Sequence, residues 1–347
     1  MLSGSGAFAP IFAIGEFLPI ILFLRWLQRQ RASSRPRVVA IGGGHGLHTL
    51  LRGLKKYTPE ITAVITVADD GGASGRIRRD FNTLPPGDFR NCLVALADDE
   101  DLMAKLFQFR FGKGAGLDGH SVGNLLITAL TELTGSFEKA LSESARVLAI
   151  KGRILPSTTE RITLCAEVRC PETSEITLAE GESAIPQKQG KIERLFIKPE
   201  GARAFPETIK AILNADIITI GPGSLFTSIM PNLMVEGIAG AIRASRALKI
   251  YICNIATQRG ETDGFTLEDH VRALERNVGK GLFEVIIANS NTDFEIPNAE
   301  PVRPVINDAN YRVVMADLVD REHPWRHDPD RLARVILEIY HQGGQKW

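Results

Sequence analysis

Residues 38–47 read Val38-Val39-Ala40-Ile41-Gly42-Gly43-Gly44-His45-Gly46-Leu47, and this stretch decides the fold. An apolar strand turns here through glycines into a helical pattern at 47–56. Such a turn exposes backbone N–H groups at the positive end of a helix, which favours a phosphate group. Gly43, Gly44, His45 and Gly46 are therefore predicted to bind phosphate, with a tight turn that binds nothing as the alternative.

The rest of the chain repeats this alternation of strand and helix. Further apolar, β-branched runs lie at 61–67, 217–220, 249–253, 284–288 and 312–315, and helical patterns lie at 89–97, 122–133, 137–148, 206–213, 267–277 and 330–342. Runs that are apolar almost throughout are typical of parallel strands covered on both faces. The pattern predicts an α/β fold with a Rossmann-like, mostly parallel sheet and helices on both faces.

One segment departs from this pattern. Between Arg153 and Pro199, polar and apolar residues alternate at 162–168, 176–178 and 192–197, and prolines and glycines mark turns. We predict a small β-rich insertion at about 153–199, within a domain that covers 36–347.

The composition excludes several classes of protein. The 347 residues include 41 basic and 41 acidic side chains, so the formal net charge is zero. This balance argues against a nucleic-acid-binding protein, which needs clustered basic residues. An apolar content of 44% excludes a disordered acidic chain. Four cysteines without a CxxC pair fit a reducing compartment, so we expect a cytoplasmic protein. We also expect a homo-oligomer, and the sequence identifies no protein partner.

The first 35 residues form a separate region. The segment at 7–27 is apolar, and an Arg- and Ser-rich linker follows up to residue 35. As a helix, residues 8–24 would be about 25 Å long, against about 30 Å of bilayer hydrocarbon. Pro10, Glu16 and Pro19 also interrupt it. A poor membrane span, an interfacial anchor and an apolar extension all stay open, and we favour a membrane tether.

Acidic residues follow the second predicted strand. Asp69 and Asp70 come directly after it, beside glycines. Ligands of parallel sheets bind beyond the carboxyl ends of the strands. A carboxylate there could accept a hydrogen bond from a sugar hydroxyl or hold Mg²⁺, and capping of the next helix is the alternative.

Polar residues open two further helical patterns. Asp88 is either a helix cap or part of the site. Arg90 and Asn91 lie in the first turn of the same helix, where a cation opposes the helix dipole and so is expected to face an anion. Asn124 follows His120 and Ser121 at the start of another helix, and His120 is a proton carrier or a structural residue.

A second glycine turn resembles the first. The strand at 217–220 runs into Gly221-Pro222-Gly223-Ser224, so Gly221, Gly223 and Ser224 are further phosphate-binding candidates. Two such turns in one sheet suit a diphosphate. The polar loop that contains Thr257 and Phe265 is a candidate for recognising a base or sugar by hydrogen bonds and stacking, or is simply a solvated loop.

Five blocks of this sequence resemble the YvcK-like gluconeogenesis factors, which are CofD-like relatives (UPF0052) of 2-phospho-L-lactate transferase. They are IGGGHGLHTLLRGLKKY, TVADDGGASGRIRRDFNTLPPGDFRNCLVALAD, GHSVGNLL, IGPGSLFTSIMPNLMVEGI and YICNIATQRGETDGFTLEDHV. The resemblance implies a domain that binds a nucleotide sugar, typically UDP-N-acetylglucosamine. It also implies a role in growth on gluconeogenic carbon sources and in cell-shape and cell-wall homeostasis.

The chain departs from the pattern of this family at four positions. His45 stands where a threonine is usual, His48 where a small residue is usual, and Ala73 where a serine is common. Phe265 stands where a relative would place a tyrosine, so it could stack on a base but could not donate a hydrogen bond.

Three functions remain open at this point. The first is a regulatory protein that binds a UDP-sugar or a dinucleotide and has no firm catalytic residue or cofactor, because the sequence shows no nucleophile or zinc motif. The second is a transferase like the 2-phospho-L-lactate enzymes, in which Asp69 or Asp70 would hold Mg²⁺ and Arg90 would stabilise developing charge. The third is a scaffold at the membrane.

Overall fold

The computed structural model describes residues 35–343, apart from 98–101, 113, 115 and 297–298. The apolar segment at 7–27 and its linker up to Ser34 lie outside these residues. Within the described ranges, no helix is long and apolar enough to cross a membrane.

Seven parallel strands form the main sheet, in the order β10-β9-β8-β7-β1-β2-β3. The strands are β1 (Val38–Gly42), β2 (Ile61–Ile65), β3 (Arg153–Pro156), β7 (Ile217–Ile220), β8 (Leu248–Ile252), β9 (Val285–Asn289) and β10 (Arg312–Ala316). The central strands β1 and β7 are buried along their whole length, as their apolar sequences predict.

Eleven helices are found in the described ranges. They are α1 (Gly44–Leu54), α2 (Gly72–Asp80), α3 (Gly87–Leu96), α4 (Leu102–Gln108), α5 (Val122–Thr134), α6 (Phe137–Val147), α7 (Pro206–Leu213), α8 (Met230–Met234), α9 (Ile238–Ala244), α10 (Leu267–Val278) and α11 (Pro329–Gly343). Helix α1 contacts both α3 and α11, and helices α7, α8, α9 and α10 form a second set of contacting helices. Helices thus surround the sheet. The predicted Rossmann-like α/β class is confirmed.

The strand order reverses between β1 and β7. From β1 the chain continues to β2 and then to β3 on one side, and from β7 it continues to β8, β9 and β10 on the other. Ligands of such sheets bind at this switch point, beyond the carboxyl ends of the strands. The two predicted glycine turns follow β1 and β7, the strands that flank the switch point.

The β-rich insertion is smaller than the sequence pattern predicts. Strand β3 pairs in parallel with β2, so residues 153–156 belong to the main sheet. The separate antiparallel sheet has the order β5-β4-β6 and consists of β4 (Thr163–Arg169), β5 (Ile176–Glu180) and β6 (Lys191–Lys198).

The helical patterns read from the sequence did not include α2. Its first four residues are glycine, alanine, serine and glycine, which give no apolar helical periodicity. It begins within the block after Asp69 and Asp70. Its buried Arg78 donates to the carbonyl oxygens of Ala68 and Asp69 at 3.2 and 3.3 Å, and also to that of Ile162. One guanidinium thus ties the loop after β2 to the start of the antiparallel sheet.

Packing of α1 against α11 gives a test of the fold. A Cβ on Gly53 would collide with the carbonyl oxygen of Pro329. Alanine is the better helix former, but the collision should dominate, so Gly53→Ala is expected to lower the free energy of unfolding by about 1–3 kcal/mol. Denaturant titration measures this change.

The matched control is Gly240→Ala in α9. A Cβ there has no atom within 4 Å. Only helix propensity changes, so this variant should be as stable as the wild type or more stable by up to about 1 kcal/mol. Equal effects of the two substitutions would contradict the close packing of α1 on α11.

Candidate functional site

A cavity of about 650 Å³ opens at the carboxyl edge of the main sheet. This volume is typical of a small-molecule site. Segments that follow β1, β2, β7, β8, β9 and β10 line it, with one residue from the region of the antiparallel sheet. The lining residues are Gly43, Gly44, His45, Gly46, Thr49, Asp69, Asp88, Glu182, Pro222, Gly223, Ser224, Ser228, Asn254, Ile255, Ala256, Thr257, Gln258, Ile296, Ala299, Trp325, Arg326 and His327.

The first glycine turn forms the middle of the cavity wall. Gly44 has a φ of +59°, a conformation that favours glycine, and its N–H group donates to Oδ2 of Asp88 at 2.7 Å. That hydrogen bond uses one of the first-turn donors of α1. The N–H groups of His45 and Gly46 also lie in the first turn, where a helix provides no internal acceptor.

The second glycine turn lies directly against the first. A Cβ on Gly46 would be 2.6 Å from the carbonyl oxygen of Pro222 and 2.8 Å from the nitrogen of Gly223. Nδ2 of Asn232 donates to the carbonyl oxygen of Gly42 at 2.9 Å and so links the helix after the second turn to the end of β1. The absence of a side chain at Gly46 therefore allows the two turns to meet.

Amide side chains from the loop after β8 hold the second turn. Asn254 accepts from the N–H group of Gly223 at 3.1 Å and donates to its carbonyl oxygen at 2.9 Å. Gln258 donates to Oγ of Ser224 at 2.7 Å. Gly223 and Ser224 line the cavity, whereas Gly221 lies outside its lining.

The helical turn after Ser224 already holds an anion, and this corrects the expectation of free N–H groups there. The buried carboxylate of Glu261 accepts hydrogen bonds from the backbone of Phe226 and Thr227 and from Oγ1 of Thr227. A side chain of the protein thus occupies the second helical end, so the N–H groups of the first turn are the stronger candidates for an external phosphate.

Asp69 and Asp70 point to different places. Asp69 lines the cavity and accepts from the N–H group of Gly71 at 2.9 Å, while burial raises the pKa of Asp69. Asp70 accepts from the N–H group of Ser183 at 2.9 Å and lies outside the cavity lining. The adjacent pair does not fit a shared Mg²⁺ site, and no group of three or more metal-binding side chains occurs in the described ranges.

Asp88 is a half-buried residue of the site and not the cap of α3, because Pro86 occupies the capping position. Burial raises the pKa of Asp88 to about 6, and the charge of Asp69 acts in the same direction. The hydrogen bond from Gly44 partly offsets these effects. Asp88 therefore holds the first glycine turn in place with a carboxyl group that is mostly ionised at neutral pH.

Arg90, Asn91 and Asn124 are grouped outside the cavity lining. Arg90 donates to Oγ of Ser121 and to Oδ1 of Asn91, each at 2.6 Å, and burial lowers the pKa of Arg90 to about 10. Oδ1 of Asn124 is buried without a partner in the described structure. The partners of Arg90 are neutral oxygen atoms, in contrast to the anion that its place in the helix predicts.

The aromatic residue that lines the cavity is not the one that the sequence analysis named. Phe265 packs against Phe226 and His270, with ring centroids 6.2 and 5.5 Å apart, and does not line the cavity. Trp325, which follows β10, lines the cavity and is 45% exposed. Thr257 lies in the lining as predicted from its place after β8.

The sequence analysis did not single out Glu182, Trp325 or Arg326, and it included Asn254 and Gln258 only as part of the loop that contains Thr257. Asn254 and Gln258 follow β8 closely, as the strand-end rule requires, whereas Trp325 and Arg326 lie well beyond the end of β10. Glu182 follows a strand of the small antiparallel sheet and carries no such signal.

The cavity is chemically asymmetric. Its side after β2 presents the carboxyl groups of Asp69, Asp88 and Glu182. Its side after β8, β9 and β10 presents Gln258, Trp325 and apolar residues. The two glycine turns lie between these sides. Burial lowers the pKa of His45, and the positive charge of the nearby Arg326 lowers it further.

Comparison with known proteins identifies the family of this chain. The family model described as 2-phospho-L-lactate transferase CofD matches residues 38–336, which include every cavity residue. The chain belongs to the CofD family.

Relatives within this family share most of the chain. The "Gluconeogenesis factor" of Bacillus subtilis is 42% identical over 88% of this chain and 98% of its own length. The "Gluconeogenesis factor" of Halalkalibacterium halodurans is 42% identical over 88% of this chain and 97% of its own length. A crystal structure of a UPF0052 family member from Bacillus halodurans covers 88% of this chain and 99% of that chain, with 41% identity and a TM-score of 0.80.

Glu261 gives a testable dependence of stability on pH. Burial raises the pKa of Glu261 from 4.5 to about 7. A pKa that is higher in the folded state stabilises the fold fully below the unfolded pKa, and this contribution is lost as the pH rises through the folded pKa. The wild type should therefore lose stability between about pH 4.5 and 7. Glu261→Gln should reduce this loss by about 1–3 kcal/mol, as denaturant titrations at several pH values would measure.

Glu132→Gln on α5 is the control, because Glu132 is exposed. This variant should keep the pH dependence of the wild type. The burial of Glu261 as an ionisable group would be contradicted if its glutamine variant also kept that dependence.

Proposed function

We propose that this protein is a gluconeogenesis factor that binds a nucleotide sugar of the UDP-N-acetylglucosamine type and acts as a regulator. The cavity that joins the two glycine turns of neighbouring strands carries this proposal. The names of the two relatives, both "Gluconeogenesis factor", support the role in metabolism. A role in cell-shape and cell-wall homeostasis follows from the same family resemblance.

The middle of the cavity suits a diphosphate. First-turn N–H groups of His45 and Gly46 lie at the positive end of α1, an 11-residue helix. The guanidinium of Arg326 faces the same region and has no hydrogen bond or ion pair within the described residues. Arginine forms charge-assisted, often bidentate hydrogen bonds with phosphate oxygens.

The side of the cavity after β8, β9 and β10 suits the base. Trp325 offers an aromatic face for stacking, and Gln258, which donates one amide hydrogen to Ser224, keeps a second N–H for the edge of a uracil. Ile296 and Ala299 add apolar surface. These are the groups that orient a planar heterocycle in a mostly apolar pocket.

The acidic side suits the neutral part of such a ligand and not its diphosphate. Burial raises the pKa of Asp88 to about 6, and it raises the pKa of Glu182 well above its ordinary value. These raised pKa values reflect the cost of placing negative charge on this side, so a phosphate group would be repelled there. The hydroxyl groups of a sugar are suitable hydrogen-bond partners for carboxyl groups.

A CofD-like transferase is the second candidate, supported by the family model and by the placement of Asp69 in the cavity. Asp70, which would be its partner on Mg²⁺, is engaged with Ser183. Turnover of a nucleoside-diphosphate-linked donor, measured in the same samples as binding and lost in Asp69→Asn, would favour this candidate over regulation by binding alone.

Arg326→Gln tests the diphosphate site. Loss of a charge-assisted contact with phosphate should weaken the binding of UDP-N-acetylglucosamine at least tenfold, equivalent to about 1.4 kcal/mol or more. Isothermal titration calorimetry measures the affinity, and thermal unfolding of the free protein checks that the fold is unchanged.

Arg321→Gln is the matched control, since Arg321 is exposed and lies outside the cavity lining. Its affinity should equal that of the wild type. A wild-type protein that binds neither a UDP-sugar nor a dinucleotide would overturn the proposal.

A further inference from the structure

Glu182 enters the cavity from outside the main sheet. It begins the short 3-10 turn Glu182–Ala184, which follows β5 of the antiparallel sheet. Every other cavity residue comes from a segment that follows a main-sheet strand or from the start of α3. The antiparallel sheet therefore contributes one side chain to the site, and that side chain is a carboxyl group.

Contacts on both sides fix the position of this turn. Asp70 accepts from the N–H group of Ser183 at 2.9 Å, and Gly181 is so close to Asp70 that a Cβ there would collide with its carboxylate. On the other side, a Cβ on Gly260 would collide with the carbonyl oxygen of Pro186. The turn is held between the loop after β2 and the loop after β8, so Glu182 is in place before any ligand arrives.

One oxygen of the Glu182 carboxyl group lacks a partner. This Oε2 atom is buried, and no described residue forms a hydrogen bond with it. The charged groups that act on Glu182 are Asp69, Asp88, Glu261 and Asp70, all of which are acidic. Buried polar atoms in proteins are nearly always paired, so an unpaired oxygen on a residue that lines a cavity indicates a missing hydrogen-bonding group.

The chemistry around Glu182 restricts what that group can be. A phosphate there would face Asp69 and Asp88, whereas neutral O–H and N–H donors would not be repelled. Glu182 lies within electrostatic reach of Asp69 and Asp88 and shares the acidic side of the cavity with them. A ligand with its base near Trp325 and its diphosphate at the turns therefore extends its remaining part, the sugar, towards Glu182.

We propose that Glu182 hydrogen-bonds a hydroxyl or amide N–H group of the sugar and thereby distinguishes a nucleotide sugar from the free nucleoside diphosphate. This inference rests on the proposed function, since it assigns one end of the same ligand. In this proposal the antiparallel sheet is the element that recognises the sugar.

Calorimetry with two ligands tests this assignment. Wild-type protein, Glu182→Ala and Glu182→Gln are each titrated with UDP-N-acetylglucosamine and with UDP. Glu182→Ala should weaken the binding of the sugar nucleotide about tenfold and leave the affinity for UDP unchanged, because UDP has no group that reaches the residue. Glu182→Gln keeps an acceptor oxygen and should lose less affinity than the alanine variant.

Glu180→Ala is the matched control on the same sheet. Glu180 forms an exposed ion pair with Lys198 outside the cavity lining, so its loss should change neither affinity. Thermal unfolding adds a readout of structure: removing an unpaired buried carboxyl group should not lower the Tm of Glu182→Ala.

The remaining outcomes separate the two proposals. Equal weakening of both ligands, or no change for either, would overturn the role of Glu182 in sugar recognition while the proposed function stands. Wild-type protein that binds neither ligand would overturn the proposed function and this inference with it.

Discussion

Direct backbone contact between the two glycine turns is the constraint on which the site depends. Gly46 lies against Pro222 and Gly223, closer than any side chain would allow. Because β1 and β7 are neighbours at the reversal of strand order, this contact brings the first turn of α1 to the centre of the carboxyl edge. The cavity then extends to both sides of that centre, and each side has its own chemistry.

The sequence predicts well the strands and the residues that directly follow them, because both depend on local patterns. Six of the seven main strands are apolar runs, and the missed strand β3 is a four-residue segment that begins with Arg153 and ends with Pro156. Residues that follow strands directly, such as Asp69 and Thr257, lie in the cavity because parallel strands end at one edge. Strand-end position thus leads from the sequence to the glycine turns, Asp69 and Thr257.

The remaining residues depend on tertiary contacts that no local pattern records. Glu182 reaches the cavity because Asp70 holds the turn that carries it, and this contact joins residues 113 positions apart. Phe265 is drawn into the core by Phe226 and His270, while the aromatic residue of the cavity is Trp325, which sequence reasoning passed over. Likewise, Glu261 occupies the helical turn after Ser224, a location that composition cannot reveal.

The walls of the cavity are drawn from residues 43 to 327, nearly the full span of the described domain. During synthesis the groups after β10 leave the ribosome long after the glycine turn that follows β1. A chain truncated before Trp325 would possess the first-turn amides of α1 but lack Arg326 and the aromatic wall of the cavity. A ligand bound in the cavity would therefore contact segments from distant parts of the chain, and it would tie the strands β1 and β10 together against unfolding.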